Sequence, residues 1–222
     1  MYDLGTGRLL WEYKPEEEKG GFGAKFINEE KLAVYEYDKV RLVDVKTGAK
    51  FWEVEVFKKN FGDMAALTEY LYMAISDSGD ICISKDGGYV ASISRDGIVK
   101  WEKDFGDGIP PLALSPSGRF LTLTVANYEP EFSVFLYLIN NLNGEVLWKK
   151  ELSHGYSAIV YGLACFVSEK YLLRCNERVK EETVMGYYLH LWDVKTGNLL
   201  WKWIPEEGGR VETIQLSGDK KR

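Results

Sequence analysis

Asp193-Val-Lys-Thr-Gly-Asn-Leu-Leu-Trp201 is written more than once in this chain. Asp44-Val-Lys-Thr-Gly-Ala-Lys-Phe-Trp52 repeats it, Asp3-Leu-Gly-Thr-Gly-Arg-Leu-Leu-Trp11 precedes it, and Asn140-Asn-Leu-Asn-Gly-Glu-Val-Leu-Trp148 varies it. In these four copies the acidic or amide residue stands eight positions before the tryptophan and the glycine stands four before it. A fifth, degraded copy ends at Trp101, where Gly97 keeps its spacing and Ile93 occupies the place of the Asp.

Each position has a physical task. An Asp or Asn at a strand end accepts hydrogen bonds from backbone N–H groups of the following turn, and the Thr hydroxyl does so more weakly. Glycine supplies the positive φ that a short hairpin loop requires. The residues after it alternate along a second strand, which fixes the face on which the Trp ring sits. The five tryptophans, at 11, 52, 101, 148 and 201, lie 41 to 53 residues apart. That period is expected of propeller blades.

The chain of 222 residues can bury a sizeable core and is within the size of one all-β domain. A single domain, 1–222, is therefore expected. Hydrophobic residues make up 45% and charged residues 28%, a globular balance. The net charge of −6, with basic residues scattered among a larger number of acids, counts against a nucleic-acid surface. No apolar run approaches the roughly 18 residues of a membrane span. Glutamine occurs once, at Gln215, beside abundant Glu and Lys, the direction seen in thermophile compositions. Three cysteines do not make a disulfide framework. Cys165 and Cys175 flank a turn at 168–170 and read as two small buried residues rather than a bonded pair.

Taken in order, the chain divides into four-stranded units. Strands are expected near 23–27, 31–37, 40–45 and 50–56; then near 71–75, 81–84, 89–94 and 98–103. A third set falls near 111–114, 120–125, 132–139 and 146–152, and a fourth near 159–167, 171–176, 187–194 and 199–204. The charged segment Glu177–Glu182 reads as a solvated loop. Residues 1–14 read as the last half of one unit, and 211–216 as the first strand of another. The two ends are thus complementary, so joining them in one blade would close a ring of about five blades with no free edge. Because residue 1 falls inside a repeat, the chain also fits a fragment of a longer propeller.

The pattern Asp-x-x-Thr-Gly-x-x-x-Trp, at Asp3 to Trp11, Asp44 to Trp52 and Asp193 to Trp201, resembles the tryptophan-docking repeat of the pyrroloquinoline-quinone-like propellers. The resemblance covers nearly the whole chain. It implies that each Trp packs against the glycine and adjacent backbone of a neighbouring blade. The family usually has a small residue two positions before the Asp, whereas Leu42, Leu138 and Leu191 stand there in this chain, which implies a looser stack. Quinone-dependent members have about eight blades, an adjacent cysteine pair and a calcium ion. This chain has space for about five blades and no Cys-Cys pair, so neither cofactor nor metal is expected.

Other catalytic patterns are equally thin. Gly20 to Lys25 lacks the Gly-Lys-Ser or Gly-Lys-Thr ending of a phosphate loop. His154 and His190 have no Cys or second His at zinc spacing, and His190 alternates with Tyr188 and Trp192 as a packing residue would. Glu129 and Glu131 offer carboxylates for glycoside chemistry without a visible arrangement across a substrate. The function expected is therefore a non-enzymatic propeller scaffold that binds proteins. The alternative is an enzyme, either a divergent quinoprotein dehydrogenase from a longer chain or a five-bladed glycosidase. Phe61, Tyr128 and Tyr156, near loops, are the contact candidates.

Overall fold

A computed structural model describes residues 1–14, 22–36, 38–57, 71–106, 112–127, 133–154, 164–180 and 183–204. Among these residues the architecture is all-β, in four four-stranded antiparallel sheets. Blade 1 holds β1 (Phe22–Phe26), β2 (Lys31–Glu36), β3 (Lys39–Asp44) and β4 (Lys50–Glu55). Blade 2 holds β5 (Leu71–Ile75), β6 (Ile81–Lys85), β7 (Tyr89–Ile93) and β8 (Val99–Asp104). Blade 3 holds β9 (Leu112–Leu114), β10 (Phe120–Asn127), β11 (Ser133–Asn140) and β12 (Glu145–His154). Blade 4 holds β13 (Ala164–Phe166), β14 (Tyr171–Lys180), β15 (Thr183–Asp193) and β16 (Leu199–Trp203).

In every sheet the strands pair in sequence order, so each blade is a meander closed by short turns. The middle strands are rich in β-branched and aromatic residues and are buried on both faces, as Leu32 to Glu36 and Ile81 to Lys85 illustrate. The core is therefore divided into layers between sheets. Tyr35, Val40, Phe57, Ile81 and Ile93 fill the layer between blades 1 and 2. Cys82, Trp101, Leu121 and Ile139 fill the next, and Leu136, Phe166, Leu172 and Trp192 the third. Residues 1–14 add a half-unit whose bridge Tyr2↔Leu9 brings Trp11 and Tyr13 against Leu32, Val34 and Val43.

Two readings of the sequence need correction. The segment Glu177–Glu182 is not a loop over its whole length: β14 and β15 pair from Tyr171↔Asp193 to Lys180↔Thr183, with one register shift between Arg178 and Val179. Its alternating charges had obscured the strand. In blade 2 the place of the Asp is taken by Ser94 rather than Ile93, because the turn is one residue shorter: Gly97 N donates to Ser94 O, whereas Gly48 N donates to Asp44 O. Ile93 is a buried strand residue. Of the segment 20–25, residues 22–25 lie in strand β1 and the first two fall outside the described residues. The expected strands at 211–216, and the first part of the one at 159–167, fall outside the described residues.

Candidate functional site

The repeated nonapeptide builds one local structure at each copy. Asp44 Oδ1 accepts from Lys46 N at 3.0 Å, Thr47 N at 2.7 Å and Thr47 Oγ1 at 2.8 Å. Asp3 and Asp193 accept from the N and Oγ1 of Thr6 and Thr196, all at 2.8 Å. These bonds, the Thr hydroxyl first, hold the three carboxyls below their ordinary values. Asn140 substitutes an amide oxygen, accepting from Leu142 N at 3.0 Å. The turn glycines take positive φ, 70° at Gly48 and 81° at Gly97, which side-chain-bearing residues rarely adopt.

Trp11, Trp52, Trp101 and Trp148 each reach forward to the turn of the next unit. Added Cβ atoms on Gly48, Gly97, Gly144 and Gly197 would fall 2.8, 2.7, 2.9 and 3.0 Å from Cδ2 of Trp11, Trp52, Trp101 and Trp148. Each indole N–H also donates to the carbonyl of the second turn residue: Trp11 to Val45 at 2.7 Å, Trp52 to Arg95 at 3.0 Å, Trp101 to Asn141 at 3.0 Å, Trp148 to Val194 at 2.8 Å. The leucines before the turns do not hold the rings away. Leu42, Leu138 and Leu191 lie opposite Trp52, Trp148 and Trp201 in the sheet register. A register shift beside each tryptophan leaves one extra residue (Phe51, Lys100, Leu147 or Leu200) on the outer strand. Such bulges re-aim the neighbouring side chain.

Two polar nodes reinforce the seam. Asn141 is fully buried; its Oδ1 accepts from Ser92 Oγ at 2.7 Å and Cys82 Sγ at 3.2 Å, and its Nδ2 donates to Gly118 O at 2.7 Å. Burial pushes the Cys82 thiol up to about 12. Arg41, also buried, bonds Glu36 at 2.7 Å, Glu53 and the hydroxyl of Tyr13. Sequence reading missed both, although Asn141 stands where Val45 and Val194 occupy the other turns. His190 is a packing residue between the rings of Tyr188 and Trp192, and burial, with Lys202 and Arg174, lowers its pKa to about 4. The described residues contain no group of three or more metal-ligating side chains. All three cysteines are free, and Cys165 and Cys175 face Leu173 and Leu189 across the sheet. Phe61, Tyr128 and Tyr156 lie outside the described residues.

Among the described residues the series ends unmatched on both sides. Trp201 is 44% exposed, against 8% for Trp101, and nothing lies within 4 Å of a Cβ added at Gly7.

Four sequential four-stranded meanders stitched by forward-reaching tryptophans define a β-propeller arrangement of blades. The chain belongs to the PQQ_2 family, whose model is described as outer membrane protein assembly factor BamB and matches residues 1–158. None of the curated proteins matches the sequence. Among solved structures it is similar to BamB from Moraxella catarrhalis, with TM-score 0.61, 13% identity, 96% of this chain and 60% of that one covered. It is similar to the computationally designed Ika8 protein, with TM-score 0.62, 15% identity and coverage of 91% and 54%. The C-terminal WD40 domain of Sif2 follows with TM-score 0.57, 15% identity and coverage of 87% and 50%. At these identities the likeness concerns the fold, and the chain spans about 60% of the length of the BamB structure. No helix among the described residues is long and apolar enough to cross a membrane.

Proposed function

We propose that this chain is a non-enzymatic propeller module that binds other proteins. The observation that carries the reading is a set of apolar side chains on the turns of the repeat. Leu4 is 99% exposed, Ile98 66% and Leu142 75%. Each belongs to a turn between the third and fourth strands of its unit, and the tryptophan contacts place successive turns side by side. Exposed apolar groups on equivalent turns, on a scaffold that does not need to move, are suited to an interaction surface. The family description, an assembly factor, agrees with a protein partner. Replacing Leu4, Ile98 and Leu142 together by lysine is expected to abolish capture of partner proteins by the immobilised chain while its melting temperature stays within about 2 °C, because these side chains contribute little to the core. An unchanged captured set would overturn the reading; quinone-dependent dye reduction or polysaccharide hydrolysis by the pure chain would favour an enzyme instead.

The ring itself is proposed to close at about five blades, with Trp201 seated on the Gly7 turn in a blade shared by the two ends. What supports this is one tryptophan and one preformed turn without a counterpart among the described residues, of the kind joined four times elsewhere. Trp201→Ala is then expected to lower the stability of a monomer by about 2–4 kcal/mol. A monomer whose denaturation midpoint does not move would reject closure. Wild-type dimers lost in Trp201→Ala would place the contact between two copies.

A further inference from the structure

The face of blade 4 that meets blade 3 carries a charge where the other blades carry hydrocarbon. Arg174 pairs with His190, three residues before the turn residue Asp193. The register equivalents are Val34 opposite Arg41, Ile83 opposite Ala91, and Leu123 opposite Tyr137. All three aliphatic residues are buried, so packing alone does not call for an arginine at this position.

Arg174 has no exposed surface. Its Nε donates to Thr124 Oγ1 of blade 3 at 3.2 Å, but Nη1 and Nη2 have no hydrogen-bond partner among the described residues. Trp192, on the same face of β15 and opposite Leu172, buries an indole N–H that also lacks an acceptor. His190 and Lys202 continue the row outward by register, and Tyr188 packs beside them. A guanidinium cannot lose its proton to escape burial as a lysine does, and an unpaired buried charge is strongly unfavourable. The unmatched groups of Arg174 and Trp192 are all donors. Their complement is an acceptor-only anion, and the two terminal nitrogens of an arginine match the two oxygens of a carboxylate.

We infer that the layer between blades 3 and 4 at Arg174 is an oxyanion site that takes a carboxylate across Nη1 and Nη2. This inference does not depend on the protein-binding reading. Because Arg174 is enclosed, entry requires blades 3 and 4 to part locally, so exchange of the anion is slow on the timescale of local opening.

The test is thermal unfolding of the full chain at neutral pH, with sodium malonate or sodium phosphate replacing sodium chloride at constant ionic strength. Wild type is expected to show a saturable rise of roughly 5 °C with malonate. Arg174→Leu, the residue found at 123, is expected to lose the rise and to melt no lower than wild type in chloride. Arg174→Lys keeps the charge without the fork, and it is expected to respond more weakly; it serves as the variant if the leucine form does not fold. A saturable rise with phosphate and none with malonate overturns the carboxylate assignment. No specific rise in wild type, or the same rise in the variants, overturns the site and leaves Arg174 to a buried water.

Discussion

Trp101→Ala is expected to destabilise the chain by about 3–5 kcal/mol, the cost of emptying a large buried aromatic site. Trp101 is the most enclosed ring of the repeat at 8% exposure, and it contributes to the layer between blades 2 and 3 with Leu121, Leu123 and Ile139. Its removal also withdraws the donor from the Asn141 carbonyl, 3.0 Å away, and leaves Gly144 without the indole that covers it. Chemical denaturation followed by far-ultraviolet circular dichroism measures the loss. Phenylalanine at 101 should recover most of the packing but not the hydrogen bond, and is expected to lie about 1–2 kcal/mol below wild type. A loss under about 1 kcal/mol for the alanine variant would show that the inter-blade layer does not depend on this ring.

The second large effect is expected at Arg41. Arg41→Ala removes a buried guanidinium and leaves the Glu36 carboxylate, itself only 7% exposed, without its cation at 2.7 Å. Removing one partner of a buried ion pair costs about 3–5 kcal/mol, because the other charge stays desolvated. Arg41→Ala, Glu36→Gln together should recover a large part of that loss, which equilibrium unfolding of the single and double variants measures. Acid acts on the same node. Arg41, with Lys50, holds the Glu53 carboxyl below its ordinary value, as the Thr bonds hold Asp3, Asp44 and Asp193. A depressed folded value means that the unfolded chain takes up protons first. The contribution is thus complete above the ordinary carboxylate range, about pH 4, and is lost as pH falls below it. Arg41→Ala should flatten part of that acid limb.

The repeat carried most of the architecture. A turn residue, a glycine and a tryptophan at fixed spacing fix a hairpin and the face of a ring, so the strands of blades 1, 2 and 3 could be placed within one or two residues. In blade 2 only the turn residue differs, because Ser94 does the work of an Asp with a turn one residue shorter, and the spacing alone pointed to Ile93. Hairpin β14–β15 was cut short because charged residues in a long two-stranded extension look like a loop until their partners are known. Asn141 and Arg174 were invisible for a different reason. A polar residue inside a strand or turn reads as solvated, and only the opposing blade shows that Asn141 meets Cys82 and Ser92, or that Arg174 meets Thr124. The bulges opposite the tryptophans follow from pairing, which no single strand reveals.

The forward reach of the indoles gives the chain a direction in time. Each ring waits for a carbonyl 34 to 46 residues further on. At ribosomal speeds that is a delay on the order of a few seconds. During synthesis every finished blade therefore presents an uncovered tryptophan at the growing end, and is sealed only when its successor emerges. Synthesis thus delivers each docking ring before the turn that covers it, and a stall between two blades would leave one aromatic ring open to whatever lies nearby.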